Sequence, residues 1–101
     1  MIDGINHYNL RSDIDTMESL KKFYIDVVGL THGFRPPFES QGYWLYAGEK
    51  DVLHLSSTKE GDHKVHHVNS TFDHMAFSAT DLDSFVKKLE LHQIKYYFRE
   101  V

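Results

Sequence analysis

Hydrophobic and polar residues alternate in short runs along much of this chain, and the runs predict a series of small elements. Ile5-Asn6-His7-Tyr8-Asn9-Leu10 is nearly alternating and aromatic-containing, which predicts a strand. A polar stretch, Arg11 to Asp15, follows. Met17, Leu20, Tyr24 and Val27 then recur at helical spacing, with Phe23 and Val28 widening the stripe. Asp15 three residues before Glu18 suits a capping box, and Gly29 suits the end of a helix over about 16–28. Leu30 to Arg35 predicts a short strand, closed by Pro36-Pro37 because neither proline can donate to a ladder. Gly42 to Ala47, a tight turn over Gly48 to Asp51, and Val52 to Ser56 predict a hairpin.

Residues 57–70 are polar and lack periodicity, which predicts a solvated linker. Thr71 to Ala79 predicts another strand. Leu82, Phe85, Val86 and Leu89 predict a second helix, with Thr80 and Asp83 as its capping pair. Ile94 to Arg99 predicts a final strand. The domain expectation is a first module over 1–58, a polar linker over 59–70, and a partial second module (strand, helix, strand) over 71–101.

The two strand–helix segments resemble each other. Ile5-Asn6-His7 aligns with Phe72-Asp73-His74, and Lys21-Lys22-Phe23 aligns with Lys87-Lys88-Leu89. Each copy reads as strand, polar turn and amphipathic helix, so the two are expected to pack together. A full-length second copy would carry the chain to about 134. With 101 residues, the expectation is a chain truncated within its second module or a portion of a longer protein, or else a complete small domain with a chance repeat.

Composition narrows the chemistry. Eleven basic and 15 acidic residues give a net charge of -4, which argues against nucleic acid as a partner. With no cysteine, disulfides, thiol nucleophiles and thiolate metal sites are excluded. No apolar run approaches the roughly 18 residues that cross a bilayer, and the N-terminus does not read as a signal peptide, so the expected setting is cytoplasmic with no membrane partner. The eight histidines are many for this length. His7 and His74 hold the same position in the repeated strand, and His54 lies in an apolar strand late in the first module. As a set they are candidate ligands for Zn, Fe, Ni or Mn, with a coordination position left open for water or substrate. The competing reading is three strand histidines with purely structural roles. His63, His66 and His67 read as exposed loop residues, and His32 and His92 have no partner pattern. Trp44, Tyr46, Tyr8 and Tyr43 are candidate cavity walls or plain sheet packing. Arg11 and Arg35 are candidate anion contacts or plain surface residues. No phosphate loop, Ser-His-Asp signature or HExxH helix occurs, and no catalytic residue is assigned.

Several segments together resemble the vicinal oxygen chelate superfamily, which includes glyoxalase I, bleomycin and fosfomycin resistance proteins, methylmalonyl-CoA epimerase and the extradiol dioxygenases. They are Ile5-Asn6-His7-Tyr8, Phe23 to Leu30, Trp44-Leu45-Tyr46 with Val52-Leu53-His54-Leu55, and Phe72 to Phe77 leading into Thr80-Asp81-Leu82. The resemblance implies an α+β fold of βαβββ modules around a divalent metal. His7 and His74 match the first-strand ligands, and His54 stands where many members carry Glu or Gln. The last ligand, a Glu, would fall near position 121, beyond Val101. The resemblance implies a glyoxalase-like lyase or isomerase acting through a metal-stabilised enediolate on a small oxygenated substrate, impaired in this chain. Extradiol ring cleavage and metal-free binding like that of the bleomycin resistance proteins are the alternatives. Arg11, Trp44 and Tyr46 are the expected substrate contacts, and a homodimer is the expected assembly.

Overall fold

The computed structural model describes residues 1–59 and 70–100. The expected linker and its His63, His66 and His67 fall almost wholly outside the described residues. The chain divides into two compact units, Met1–His66 and His67–Val101.

The first unit is a β-α-β-β-β arrangement on an open mixed sheet. Its strands are β1 (Tyr8–Ser12), β2 (Thr31–Gly33), β3 (Gly42–Ala47) and β4 (Lys50–Ser57), in the order β1-β4-β3-β2. β4 runs parallel to β1 and antiparallel to β3, and β3 is antiparallel to β2. The expected first strand therefore lies three residues later at its start and two at its end. Ile5 is exposed, and His7 immediately precedes the strand.

Between β1 and β2 the chain forms α1 (Ile14–Phe23), which continues into a wider π-helical turn over Tyr24–Val28. The cap is Asp13, not Asp15: its Oδ1 accepts from the Thr16 backbone N–H at 2.8 Å. Asp15 falls inside the first turn instead, where a carboxylate favours the positive end of the helix dipole. Gly29 ends the helix as expected, at φ 95°, a conformation costly for residues with a Cβ. The widened turn is visible in the bonds from Gly29 N and Leu30 N, both to Tyr24 O at 3.0 and 2.9 Å. Val27 and Leu30 are buried on either side of that glycine.

The hydrophobic core follows from two periodicities meeting. Leu53 and Leu55 of β4, Leu45 of β3, and Met17 of α1 are almost wholly inaccessible, and Leu30 joins them. Tyr8 and Leu10 of β1, with Leu20 and Tyr24, pack around this cluster. One face of the sheet is thus covered by α1. The opposite face carries Asn9, Arg11, Trp44, His54 and Ser56, the residues that alternate with the core positions. The β3–β4 connection is the two residues Gly48 and Glu49, with Gly48 at φ 62°. Such short links need a residue tolerant of positive φ.

A β-bulge interrupts the β3–β4 ladder. Leu45 pairs with Leu53 but Tyr46 pairs with Asp51, leaving Val52 as the extra residue on β4. In a regular strand, residues 51 and 54 would point to opposite faces. The extra residue cancels that parity and puts Asp51 on the same face as His54.

In the second unit the one regular element among the described residues is α2 (Leu82–Leu91). Asp81 caps it, accepting from Ser84 N at 3.4 Å, rather than the expected Thr80–Asp83 pair. The strands expected over Thr71–Ala79 and Ile94–Arg99 are absent among the described residues. A strand needs a neighbour for its N–H and C=O groups, and neither segment pairs with one there. Phe72, Phe77, Leu82, Leu91 and Phe98 are exposed.

Candidate functional site

The sheet's open face is organised by register. Asn9 stands opposite His54 across β1–β4, and Trp44 stands opposite His54 across β3–β4. This sets His54 between two neighbours on its own face. The Trp44 indole stacks on the His54 imidazole with centroids 4.0 Å apart and planes 8° apart. His7, just before β1, stacks on His54 with centroids 3.7 Å apart and planes 14° apart. Neighbouring rings therefore lie nearly parallel, and His54 is buried. Phe38, from the β2–β3 connection, lies 6.2 Å from Trp44 with a tilted ring.

Polar contacts fix the column. His54 Nε2 donates to Asp51 Oδ2 at 2.6 Å, a contact created by the bulge at Val52. That bond, ahead of the opposing effect of desolvation, holds the Asp51 carboxyl below the usual carboxylate range. His7 Nδ1 donates to Asn6 Oδ1 at 2.8 Å. The next row of the sheet is Arg11, Ser56 and Gly42. Arg11 Nη1 donates to the Ser57 carbonyl at 3.0 Å, and Ser56 Oγ donates to Asn9 Oδ1 at 3.1 Å. A Cβ at Gly42 would lie 2.9 Å from Arg35 Nη2 and would also collide with the Leu55 carbonyl oxygen, so glycine makes room there.

These residues border a cleft of about 200 Å³, whose walls include Asn9, Arg11, Arg35, Phe38, Trp44 and His54. A larger hollow of about 810 Å³ lies beside the start of α1, bordered by Asp13, Asp15, Glu39 and Lys59. It has no aromatic wall, whereas the smaller cleft joins flat rings to convergent polar groups, the usual composition of a ligand site.

Of the expected site residues, His7, His54, Trp44 and Arg11 come together in the first unit. Tyr46 does other work: its hydroxyl donates to the Phe34 carbonyl at 2.6 Å, and its ring covers Gly33, where a Cβ would lie 2.6 Å from Cε1. It does not line the cleft. His74 belongs to the second unit, is largely exposed, and donates from Nδ1 to Asp73 Oδ2 at 2.6 Å. Sequence reasoning missed Asn9, Phe38, Asp51 and Ser56. Alternation along β1 and β4 could have found Asn9 and Ser56, because each lies two residues from a candidate on its own strand.

A divalent metal was expected on His7, His54 and His74. The first two do not fit it as they lie. Imidazole lone pairs lie in the ring plane, and Zn–N bonds are about 2.0–2.1 Å. Two planes 14° apart, with centroids 3.7 Å apart, do not meet within bonding range of both rings. The Asp51 contact is of a kind that orients metal-bound histidines, yet the stacking denies convergence. No group of three or more His, Asp or Glu able to hold a metal occurs among the described residues.

The open mixed sheet, the β-α-β-β-β order and the single covered face define a known class of α+β module. The chain belongs to the glyoxalase/bleomycin resistance protein/dioxygenase superfamily, whose family model matches residues 4–97. A comparison with curated proteins gives no match. No helix among the described residues is long and apolar enough to cross a membrane.

Proposed function

We propose that the chain is a small-molecule binding protein of the bleomycin-resistance kind, taking its ligand on the open face of the first unit's sheet without a metal. The observation that carries this reading is the stacking of His7, His54 and Trp44. It uses two histidines as flat aromatic surface and turns their lone pairs along nearly parallel planes. The adjoining cleft is lined by both polar groups and aromatic rings.

A metal-dependent lyase, isomerase or ring-cleaving dioxygenase is the second reading. It is favoured by the adjacency of His7 and His54, the positions where the family places ligands. It requires His7 to leave the stack and turn a ring nitrogen toward a shared point. The homodimer remains a proposal. β1 and β2 are the edges of the described sheet, and edges invite pairing; sedimentation of the full chain measures its mass.

The test is a titration of the full chain with a panel of small planar compounds, read by amide chemical shifts. The expected result is saturable shifts grouped at Asn9, Trp44, His54 and Ser56. Saturable shifts grouped elsewhere, or none from any compound, overturn the binding reading.

A further inference from the structure

The geometry points to an aromatic carboxylate as the ligand class of the open-face cleft. This inference rests on the reading of that cleft as a small-molecule site and specifies its chemistry.

The walls of the cleft include two guanidiniums, Arg11 and Arg35, and no carboxylate. That local balance runs against the chain as a whole, which has 15 acidic and 11 basic residues. Among the described residues, neither guanidinium has an ion pair. Arg35 Nε is buried and has no hydrogen-bond partner there. Buried donors are satisfied in the great majority of cases, so this guanidinium keeps unused donor capacity beside the cleft. The rest of Arg35 is held in place: Nη2 donates to Ser40 Oγ at 3.3 Å, and the guanidinium carbon lies 4.8 Å from the centre of the Phe38 ring. Arg11 is tethered by its bond to the Ser57 carbonyl.

A guanidinium offers parallel N–H groups that match the two oxygens of a carboxylate. Beside them, Phe38 and Trp44 supply the aromatic wall. Flat rings favour stacked or edge-on aromatic partners. A cleft of about 200 Å³ lies below the range that houses drug-sized ligands, which limits the ligand to about one ring. The acid group meets the arginines and the ring meets the aromatics.

The chain has one tryptophan, so the indole N–H of Trp44 gives a single resonance. We would titrate the full chain with benzoate, with the uncharged benzamide, and with acetate. Benzoate is expected to shift the Trp44 indole resonance saturably, with benzamide and acetate each at least about ten-fold weaker. Arg35→Gln and Arg11→Gln, each first checked for the wild-type amide spectrum away from the cleft, are expected to weaken benzoate by about ten-fold and so to erase most of its preference over benzamide. Equal affinity for benzoate and benzamide overturns the carboxylate inference while leaving the cleft as a small-molecule site. Benzoate binding that survives both substitutions unchanged does the same. If neither ring compound shifts Trp44, this inference falls, while the open-face reading stands or falls on the wider panel of planar compounds.

Discussion

The imidazole of His54 lies flat on the indole of Trp44, with 4.0 Å between centroids and 8° between planes. The pair joins two adjacent strands across the open face, and His7 extends it toward β1. Aromatic pairs contribute about 0.5–1.5 kcal/mol beyond area burial. Trp44→Leu keeps an apolar side chain but removes the stack. It is expected to lower unfolding stability by about 1 kcal/mol, measured by urea denaturation, and to abolish the benzoate response at the Asn9 and Ser56 amides. Unchanged stability and ligand response would mean the column is incidental.

The Asp51–His54 bond has a pH signature. The Asp51 carboxyl is held below its ordinary value mainly because His54 donates to it. A carboxylate with a depressed folded-state pKa adds stability above its unfolded value, about 3.9, and that stability is lost as pH falls through the lower folded value. Asp51→Asn is therefore expected to be less stable than the wild type near pH 6, with the gap narrowing below about pH 5 and closing in stronger acid. Denaturation midpoints across this range measure it. A gap that grows on acidification would contradict the assignment.

Much of this was legible beforehand, and the limits were physical. β3 is found over the residues its aromatic run indicates, and the Gly29 helix stop rests on backbone sterics that the sequence encodes directly. The histidine cluster was half legible: alternation places His7 and His54 on one face, but not the angle between their rings. The Asp51 contact was hidden because it depends on the bulge at Val52, and simple alternation sends residues 51 and 54 to opposite faces. The strands expected at Thr71–Ala79 and Ile94–Arg99 failed because alternation describes a half-buried strand only where a neighbouring strand exists. Where Tyr46 sits was not legible, because its neighbour is a missing side chain, the bare face of Gly33 beneath its ring.

Gly42→Ala tests how tightly the cleft is built. The new methyl would lie 2.9 Å from Arg35 Nη2 and collide with backbone at Leu55. The expected result is a loss of about 1–3 kcal/mol, as overpacking typically gives, together with weaker benzoate binding because Arg35 is displaced. Denaturation and the Trp44 titration measure the two effects. Wild-type values in both would show that Arg35 is not seated where the cleft needs it.

Leu53→Ala removes a fully buried side chain between α1 and the sheet. Its cost is expected at about 2–5 kcal/mol, read by chemical denaturation. A cost under about 1 kcal/mol would contradict the placement of the core.

The most direct test of the account concerns the two imidazoles. The full chain would be titrated with Zn²⁺, Ni²⁺, Mn²⁺ and Fe²⁺ in turn, in parallel with His54→Ala, by calorimetry and the ring-nitrogen resonances of His7 and His54. The account predicts no stoichiometric binding that depends on His54, with both rings keeping their metal-free resonances while benzoate still binds. One equivalent of metal bound by the wild type and lost in His54→Ala would contradict it and restore the metal enzyme.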